Sequence, residues 1–170
     1  MVHQEIEYKY RIKRVEDFDD KLKKLNAKFV AELINIDIYF SVPDNPEGKK
    51  YLRVRQSNDG TTLEYHYVVA DDLTEESEIE INDAQVAIEI LVNIGHVLEA
   101  VVDKKRRKYL YQNSEIVIDT VKRLGVFIEI ESPTKDELLE IEKTLGLKEE
   151  DRLLGCGYPD MIKKLDKKKE

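Results

Sequence analysis

The feature of this chain that most constrains its fold is a strict alternation of charged and apolar side chains, first seen in the segment HQEIEYKYRI. One face of this segment carries Ile6, Tyr8, Tyr10 and Ile12, and the other carries Glu5, Glu7, Lys9 and Arg11. Alternation with a period of two predicts a β-strand that is buried on one side. The charged side is unusual, because two carboxylates are followed at the same spacing by two cations.

The same alternation recurs along the chain, and each segment carries charges of mainly one sign. The charged positions are Arg53 and Arg55, Glu78 and Glu80, Lys104 and Arg106, and Glu129 and Glu131, and Asp119 follows a run of three aliphatic residues. Solvated sheets tend to mix the two signs, because like charges close together on one face are destabilising. The sorting of the signs therefore points to a special role for the charged faces.

Turn and cap signals divide the chain into two similar halves. Each half is predicted to contain a strand, a helix and three further strands, and Glu-Ile-Glu sequences at residues 5–7 and 78–80 open the two halves. Asn82 is expected to cap the helix of the second half, over residues 83–94. A duplicated unit of this kind supplies about eight strands, which is enough to close a small barrel without exposed edges.

Two architectures satisfy the alternation. In one, the charged faces contact water and the aliphatic faces fill the barrel. In the other, the charged faces line a tunnel and the aliphatic faces provide the surface on which the helices dock. Charge runs are usually solvated, but the sorting of the signs favours the tunnel.

Composition limits the classes of function. The 170 residues suit one domain of the α+β class, which we place at residues 1–165 with a frayed tail at 166–170. The formal charge of −8 makes nucleic acid an unlikely partner, because nucleic-acid-binding surfaces are basic. The single cysteine, Cys156, excludes an internal disulfide, and the absence of a long apolar run argues against a membrane span. We therefore expect a cytoplasmic protein.

Several motifs, in order along the chain, resemble those of the CYTH superfamily, the triphosphate tunnel metalloenzymes. EIEYK at residues 5–9 is similar to the ExExK signature of that family, DIYF to its D-x-Y-F stretch and YLRVR to its L-R-x-R strand. SEIEI, KKRRKY and VFIEIE are similar to its later acidic and basic strands, and GYPDMI to its C-terminal helix. The resemblance covers most of the chain.

The resemblance implies an eight-stranded antiparallel β-barrel tunnel with the helices packed outside. The tunnel is expected to bind a small-molecule triphosphate together with Mg²⁺ or Mn²⁺, which prefer oxygen ligands. The implied triphosphate-binding residues are Lys9, Arg53, Arg55, His66, Lys104 and Arg106. The implied metal ligands are Glu5, Glu7, Asp119, Glu129 and Glu131, with Glu78 and Glu80 for a second metal ion or a water molecule, and Glu5, Glu7 and Lys9 are the implied catalytic residues.

One position departs from the family pattern. His66 stands where the family usually has a phosphate-binding lysine, and Glu64 stands where it has a small hydroxyl residue. Histidine, unlike lysine, gains its charge only near and below neutral pH. We therefore expect triphosphate affinity to improve as the pH falls from 8 to 6.

The implied reactions are two. Attack of water on the terminal phosphorus gives a triphosphatase, and attack of a ribose hydroxyl on the α-phosphorus gives a class IV adenylate cyclase. The motif residues do not separate them, because both reactions depend on positioning and charge stabilisation. We favour the triphosphatase narrowly; a non-catalytic triphosphate-binding module is a further alternative, and a homodimer is possible.

Overall fold

The computed structural model describes residues 3–168, with every side chain in that range except those of His3 and Glu5. The eight strands are β1 His3–Ile12, β2 Lys28–Phe40, β3 Lys50–Ser57, β4 Gly60–Ala70, β5 Leu73–Glu80, β6 Leu98–Tyr111, β7 Ser114–Val121 and β8 Gly125–Ser132. The four α-helices are α1 Glu16–Lys24, α2 Ala84–Asn93, α3 Lys135–Leu145 and α4 Tyr158–Lys167, and a single 3₁₀ turn covers Glu149–Asp151.

The strands form one closed antiparallel barrel. Their order around the barrel is β1-β5-β4-β3-β2-β6-β7-β8, and β8 pairs with β1 to close it. The chain order places one strand, one helix and three strands in each half, β1 to β4 and β5 to β8. The predicted barrel is confirmed, and its closure leaves no strand edge without a partner strand.

Local signals at the helix ends agree with the sequence except at one cap. Asp83, not Asn82, caps α2, because Asp83 is the last extended residue and its carboxylate accepts a hydrogen bond from the backbone N–H of Val86 at 3.1 Å. Thr134 caps α3, and Gly146 ends it in the left-handed conformation, with φ +66°. The helix α4 extends to Lys167, two residues into the segment expected to be frayed.

Aliphatic residues on the outer face of the barrel form the surface on which three helices pack. On one side, Phe18 and Leu22 of α1 and Leu138 and Ile141 of α3 pack against the outer faces of β1, β7 and β8. On another side, the buried residues of α2 contact Phe40 and Val54. This placement turns the alternate, charged residues of the strands toward the interior of the barrel.

The fourth helix closes one end of the barrel. Tyr158 and Ile162 of α4 pack against inward-facing residues near one rim, among them Val102, Val121 and Phe127. The interior is therefore apolar beneath α4 and charged beyond it. No helix in residues 3–168 combines the length and the apolar character that crossing a membrane would need.

Candidate functional site

The interior of the barrel contains a cavity of about 360 Å³ with mostly charged walls. The sequence-predicted residues that line it are Glu7, Lys9, Arg53, Arg55, His66, Glu78, Lys104, Arg106, Glu129 and Glu131. These residues come from β1, β3, β4, β5, β6 and β8, so the cavity is built by both halves of the chain. The charged faces thus line a tunnel, as the second of the two architectures requires.

Asp37 on β2 anchors three of the basic side chains. Its carboxylate lies 2.8 Å from Arg55 Nε, 3.4 Å from Arg53 Nη1 and 3.2 Å from Lys104 Nζ, and its side chain is fully buried. Burial alone would raise the pKa of Asp37, but Lys104, Arg53 and Arg55 hold it well below its usual range. Asp37 is therefore a permanent counter-ion that positions these cations.

A second group of ion pairs lies on the wall formed by β1, β6, β7 and β8. Arg106 Nη2 lies 2.6 Å from both Asp119 and Glu129, and Lys9 Nζ lies 3.1 Å from both Glu129 and Glu7. Burial opposes ionisation of Glu129, but Lys9 and Arg106 lower its pKa below the ordinary value. Burial and the nearby Arg106 lower the pKa of Lys104, although Asp119 and Asp37 partly offset them.

His66 lies between two carboxylates. Its Nε2 is 3.0 Å from Glu64, and its Nδ1 contacts Glu76. Carboxylates that are ionised only accept hydrogen bonds, so both ring nitrogens must carry a proton to bond both neighbours. Burial would raise the pKa of Glu64, but Arg53, a hydrogen bond from His66 and Arg55 lower it.

The part of the tunnel farthest from α4 is rich in carboxylates. Glu7 on β1 pairs directly with Glu131 on β8, four residues, or about 13 Å, along β8 from Phe127. Burial raises the pKa of Glu131 to about 7, and the carboxylates of Glu115, Glu7 and Glu76 add to this effect. The pKa of Glu7 is raised by burial and by Glu129, against the opposing effect of Lys9.

This carboxylate-rich end suits a divalent cation, although a complete site is not assembled. Among the described side chains, no three acidic, histidine or cysteine groups converge closely enough to hold a metal ion by themselves. Glu131 forms no ion pair with any other described side chain, and Glu7 pairs with Lys9 at 3.1 Å; burial and neighbouring carboxylates raise the pKa of both. Oxygen ligands with unneutralised charge fit Mg²⁺ or Mn²⁺, which keep several waters and use phosphate oxygens as further ligands.

Three predicted site residues differ from the rest in their placement. Asp119 is fully buried and bonded to Arg106 and to the hydroxyl of Tyr158, which donates to it at 3.1 Å. Glu80 is exposed and lies outside the cavity lining, at the end of β5. The Glu5 side chain lies outside the described residues.

Further charged and aromatic groups belong to the tunnel although they were not among the predicted site residues. Glu76, Lys108, Glu115 and Tyr158 line the cavity. Asp37 and Glu64 are buried beside it and contact Arg53 and Arg55 of its lining. Lys108 and Glu115 form an ion pair, and Lys108 shares the alternation of Lys104 and Arg106, so the sequence pattern contained the signal for it. Tyr158 lies in the GYPDMI segment that resembles the family's C-terminal helix, but strand alternation gave no signal for it, because α4 brings it in from outside the sheet. Its ring lies 4.7 Å from Lys9 Nζ and 5.2 Å from Lys104 Nζ.

Comparison with known proteins identifies relatives over nearly the whole chain. The sequence pattern of the CYTH domain matches residues 3–155. A protein of Methanocaldococcus jannaschii with a provisional adenylate cyclase name is 29% identical over 92% of this chain and 97% of its own. The adenylate cyclase CyaB of Aeromonas hydrophila is 28% identical over 79% of this chain and 72% of its own.

Solved structures show the same fold. A protein from Pyrococcus horikoshii OT3 superposes with a TM-score of 0.85 and is 32% identical, covering 93% of this chain and 99% of its own. The similarity therefore extends over the barrel and over the segment that carries the cavity residues.

Proposed function

The chain belongs to the CYTH domain family, and we propose that it is a divalent-metal-dependent triphosphatase whose substrate binds inside the tunnel. Inorganic tripolyphosphate or the triphosphate of a nucleotide or other organic compound is the substrate class. The observation that carries the proposal is the lining of the tunnel, which offers charged groups on every side and little surface for an organic ring.

The basic side chains are the phosphate ligands of this proposal. Arg53 and Arg55 enter from β3, Lys104 and Arg106 from β6, and Lys9 from β1. Arginine presents a planar fork that binds two phosphate oxygens at once, whereas lysine supplies a compact charge. Because these cations lie around one cavity, a linear polyphosphate can contact several of them simultaneously.

Glu7 of β1 and Glu129 and Glu131 of β8 are the proposed ligands of Mg²⁺ or Mn²⁺, together with Glu5, two residues before Glu7 in the chain. When bound, such an ion neutralises phosphate charge and polarises the phosphoryl group. The carboxylates hold their place without it, because β1 and β8 are paired from Ile6 to Ile12. Glu78 faces the same cavity from β5 and is the proposed ligand of a second ion or a water molecule.

Hydrolysis requires a bond from water oxygen to the terminal phosphorus as the bond to the bridging oxygen breaks. Glu7, whose pKa is raised, is the proposed acceptor of the water proton. Lys9, 3.1 Å from Glu7, and Arg106 stabilise the charge that develops on the transferred group and on the departing oxygen. No covalent intermediate with the protein is needed.

The lining disfavours a cyclase, which must also hold a purine. Among the described residues, the lining contains no Phe or Trp. Its tyrosines are already bonded: Tyr39 to Arg53 at 3.1 Å, Tyr51 to Asp160 at 2.7 Å and Tyr158 to Asp119 at 3.1 Å. A class IV adenylate cyclase is nevertheless the second candidate, because both curated relatives carry adenylate cyclase names.

Product analysis separates these functions. Purified protein is incubated with tripolyphosphate and, separately, with ATP, with Mg²⁺ and then Mn²⁺, between pH 6 and 9. A double variant, Glu5→Gln with Glu7→Gln, is the control. Orthophosphate release that the double variant loses supports the triphosphatase. Cyclic AMP with pyrophosphate assigns the cyclase, and tight binding without either product assigns a binding module.

A further inference from the structure

The carboxylate of Glu64 lies among groups suited to bind a phosphate. It accepts a hydrogen bond from Arg53 Nε at 2.8 Å and a second from Arg53 Nη2, and Arg55 Nη1 lies 3.6 Å away. Thr62 Oγ1 donates to it at 2.5 Å, and His66 Nε2 is 3.0 Å away. The side chain is only 1% exposed. Two arginines, a hydroxyl and an imidazole thus surround one anionic group.

This set of contacts is the one a phosphate group would be expected to make. A guanidinium fork and short polar side chains bind phosphate and carboxylate oxygens in the same way. We propose that Glu64 is an intramolecular competitor of the substrate, occupying the phosphate position of Arg53 and Arg55 until a polyphosphate displaces it. The inference rests on the proposed function and names a specificity-determining residue of the same site.

The two arginines remain positioned when Glu64 leaves. Asp37 contacts both of them from the opposite side and is fully buried, so it holds their side chains in the tunnel. His66 keeps a carboxylate neighbour, because Glu76 contacts its other ring nitrogen. Displacement of Glu64 therefore exposes Arg53 and Arg55 to a ligand while their contacts with Asp37 hold them in position.

Competition of this kind adds the same free-energy cost to the binding of every phosphate, and only a ligand with several other contacts offsets it. Orthophosphate or pyrophosphate must displace Glu64 but gains few of the other contacts. A triphosphate also reaches Lys9, Lys104 or Arg106, whose charges line the rest of the cavity. After hydrolysis, return of the Glu64 carboxylate to the arginines opposes retention of the shorter product.

The test compares Glu64→Gln, which keeps the shape and removes the charge, with the native protein. Isothermal titration with pyrophosphate and with tripolyphosphate, both with Mg²⁺, measures the dissociation constants. We expect pyrophosphate to bind about tenfold to a hundredfold more tightly to the variant, the range of one charge-assisted interaction, and tripolyphosphate to gain by a similar factor, because both ligands displace the same carboxylate. In turnover of tripolyphosphate, KM and kcat should fall together, because product leaves more slowly.

Two further variants keep the test decisive. Glu75→Gln removes one charge from the outer face of β5, where Glu75 accepts a hydrogen bond from Gln4, and should leave both dissociation constants within twofold. Glu64→Thr, with a smaller side chain, should repeat the gain if Glu64→Gln unfolds. Unchanged or weaker pyrophosphate binding in folded Glu64 variants, with native tripolyphosphate turnover intact, overturns the inference alone. Failure of the native protein to bind tripolyphosphate overturns the proposed function and the inference together.

A second, independent observation concerns α2 and the strands beside it. Residues 84–98 contain one charged side chain, Glu89, in a chain in which 38% of residues are charged. The aliphatic side chains exposed here, between 39% and 67%, are Ile34, Ile36, Val86, Ile90, Val92, Ile94, Val97, Leu98 and Val101. The strand residues adjoin the helix, because α2 packs on Ile38 and Ile38 pairs directly with Val101. A helix apolar on all sides is typical of a buried position.

The exposed area corresponds to one side of a protein dimer. A free Val, Leu or Ile side chain presents on the order of 100 Å², so nine at about half exposure present roughly 450 Å². One partner in a standard interface buries about 800 Å², of which about 60% is apolar. We propose that this surface binds a second copy of the chain, since two copies with a net charge of −8 each can meet without repulsion only where charges are few.

Light scattering during size-exclusion chromatography of the full chain tests this. We expect a dimer, a monomer for Ile90→Glu, and a dimer for Leu139→Glu, a matched change on α3 at a side chain that is 38% exposed. A native protein that remains monomeric at about 100 μM, where a dimer with a micromolar dissociation constant would form, overturns the proposal. So does a dimer that Ile90→Glu leaves intact while folding normally.

Discussion

Glu7 and Glu131 lie directly opposite each other on β1 and β8, and in the part of the chain that the structure describes Glu131 forms no ion pair. Lys9 approaches Glu7 and Glu129 instead, at 3.1 Å from each. The tunnel therefore has a region where cations and anions neutralise each other and a region where carboxylates face one another. Repulsion among the carboxylates of the second region lowers the stability of the metal-free protein when they are ionised.

Stability of the metal-free protein should fall as the pH rises because of Glu131. Its pKa rises from an ordinary 4.5 to about 7 in the folded state, so the folded chain binds more protons than the unfolded chain between these values. The stabilisation is complete below pH 4.5 and is lost as the pH rises through 7. The full shift corresponds to about 3 kcal/mol, and partial exposure reduces the expected loss to about 1–2 kcal/mol.

Urea unfolding of the native protein and of Glu131→Gln, at pH 5 and pH 8 with a chelator present, measures this effect. The variant should gain about 1–2 kcal/mol relative to the native protein between the two pH values. A difference between the two proteins that is independent of pH would show that Glu131 ionises normally in the fold.

His66→Lys should remove the pH dependence of substrate binding that the sequence predicts. His66 binds between Glu64 and Glu76, and only the doubly protonated ring donates to both. Lysine carries its charge throughout the range from pH 6 to 8. We expect tripolyphosphate affinity of the native protein to improve as the pH falls across this range and that of the variant to stay level. Equal pH profiles for the two proteins would refute the role of His66.

Tyr158→Phe tests how α4 is held against the tunnel. The hydroxyl of Tyr158 donates to buried Asp119 at 3.1 Å, and its removal leaves one of the bonds of that carboxylate unmade. The expected cost is about 1–3 kcal/mol in the free energy of unfolding. Tyr111→Phe, at a partly exposed hydroxyl that accepts a hydrogen bond from Gln112, is the matched control and should cost less than about 0.5 kcal/mol. Equal costs would mean that the contact with Asp119 is not stabilising.

The strand faces were predictable because successive side chains of a strand point to opposite faces of the sheet. Lys9, Arg53 and Arg106 face the cavity as the alternation requires. The same alternation would have placed Lys108 in the cavity. The alternation also assigns Glu80 to the inward face, but Glu80 lies outside the cavity lining. The tilt and stagger of strands in a barrel decide which of the inward-facing residues reach the cavity.

Tertiary packing decided the remaining parts of the site. Tyr158 enters the tunnel only because the apolar face of α4 docks on Val102 and Phe127 at one rim. Asp119 is enclosed as a result, with its oxygens bonded to Arg106 and Tyr158. Side-chain spacing along β7 contains no information about a helix that arrives from the far end of the chain.

The central claim is that a triphosphate binds to the inward-facing cations of the barrel, and two adjacent arginines on β6 test it most directly. Arg106 bonds Asp119 and Glu129 inside the tunnel, whereas Arg107 bonds Glu32 on the outer face. Both substitutions, Arg106→Lys and Arg107→Lys, keep the charge and remove the guanidinium fork.

The measurement is isothermal titration calorimetry, in which tripolyphosphate with Mg²⁺ is titrated into the native protein and each variant to obtain the dissociation constants. The account predicts that Arg106→Lys weakens binding about tenfold or more and that Arg107→Lys changes it less than twofold. Equal affinity in all three proteins, or a loss confined to Arg107→Lys, would contradict binding inside the tunnel.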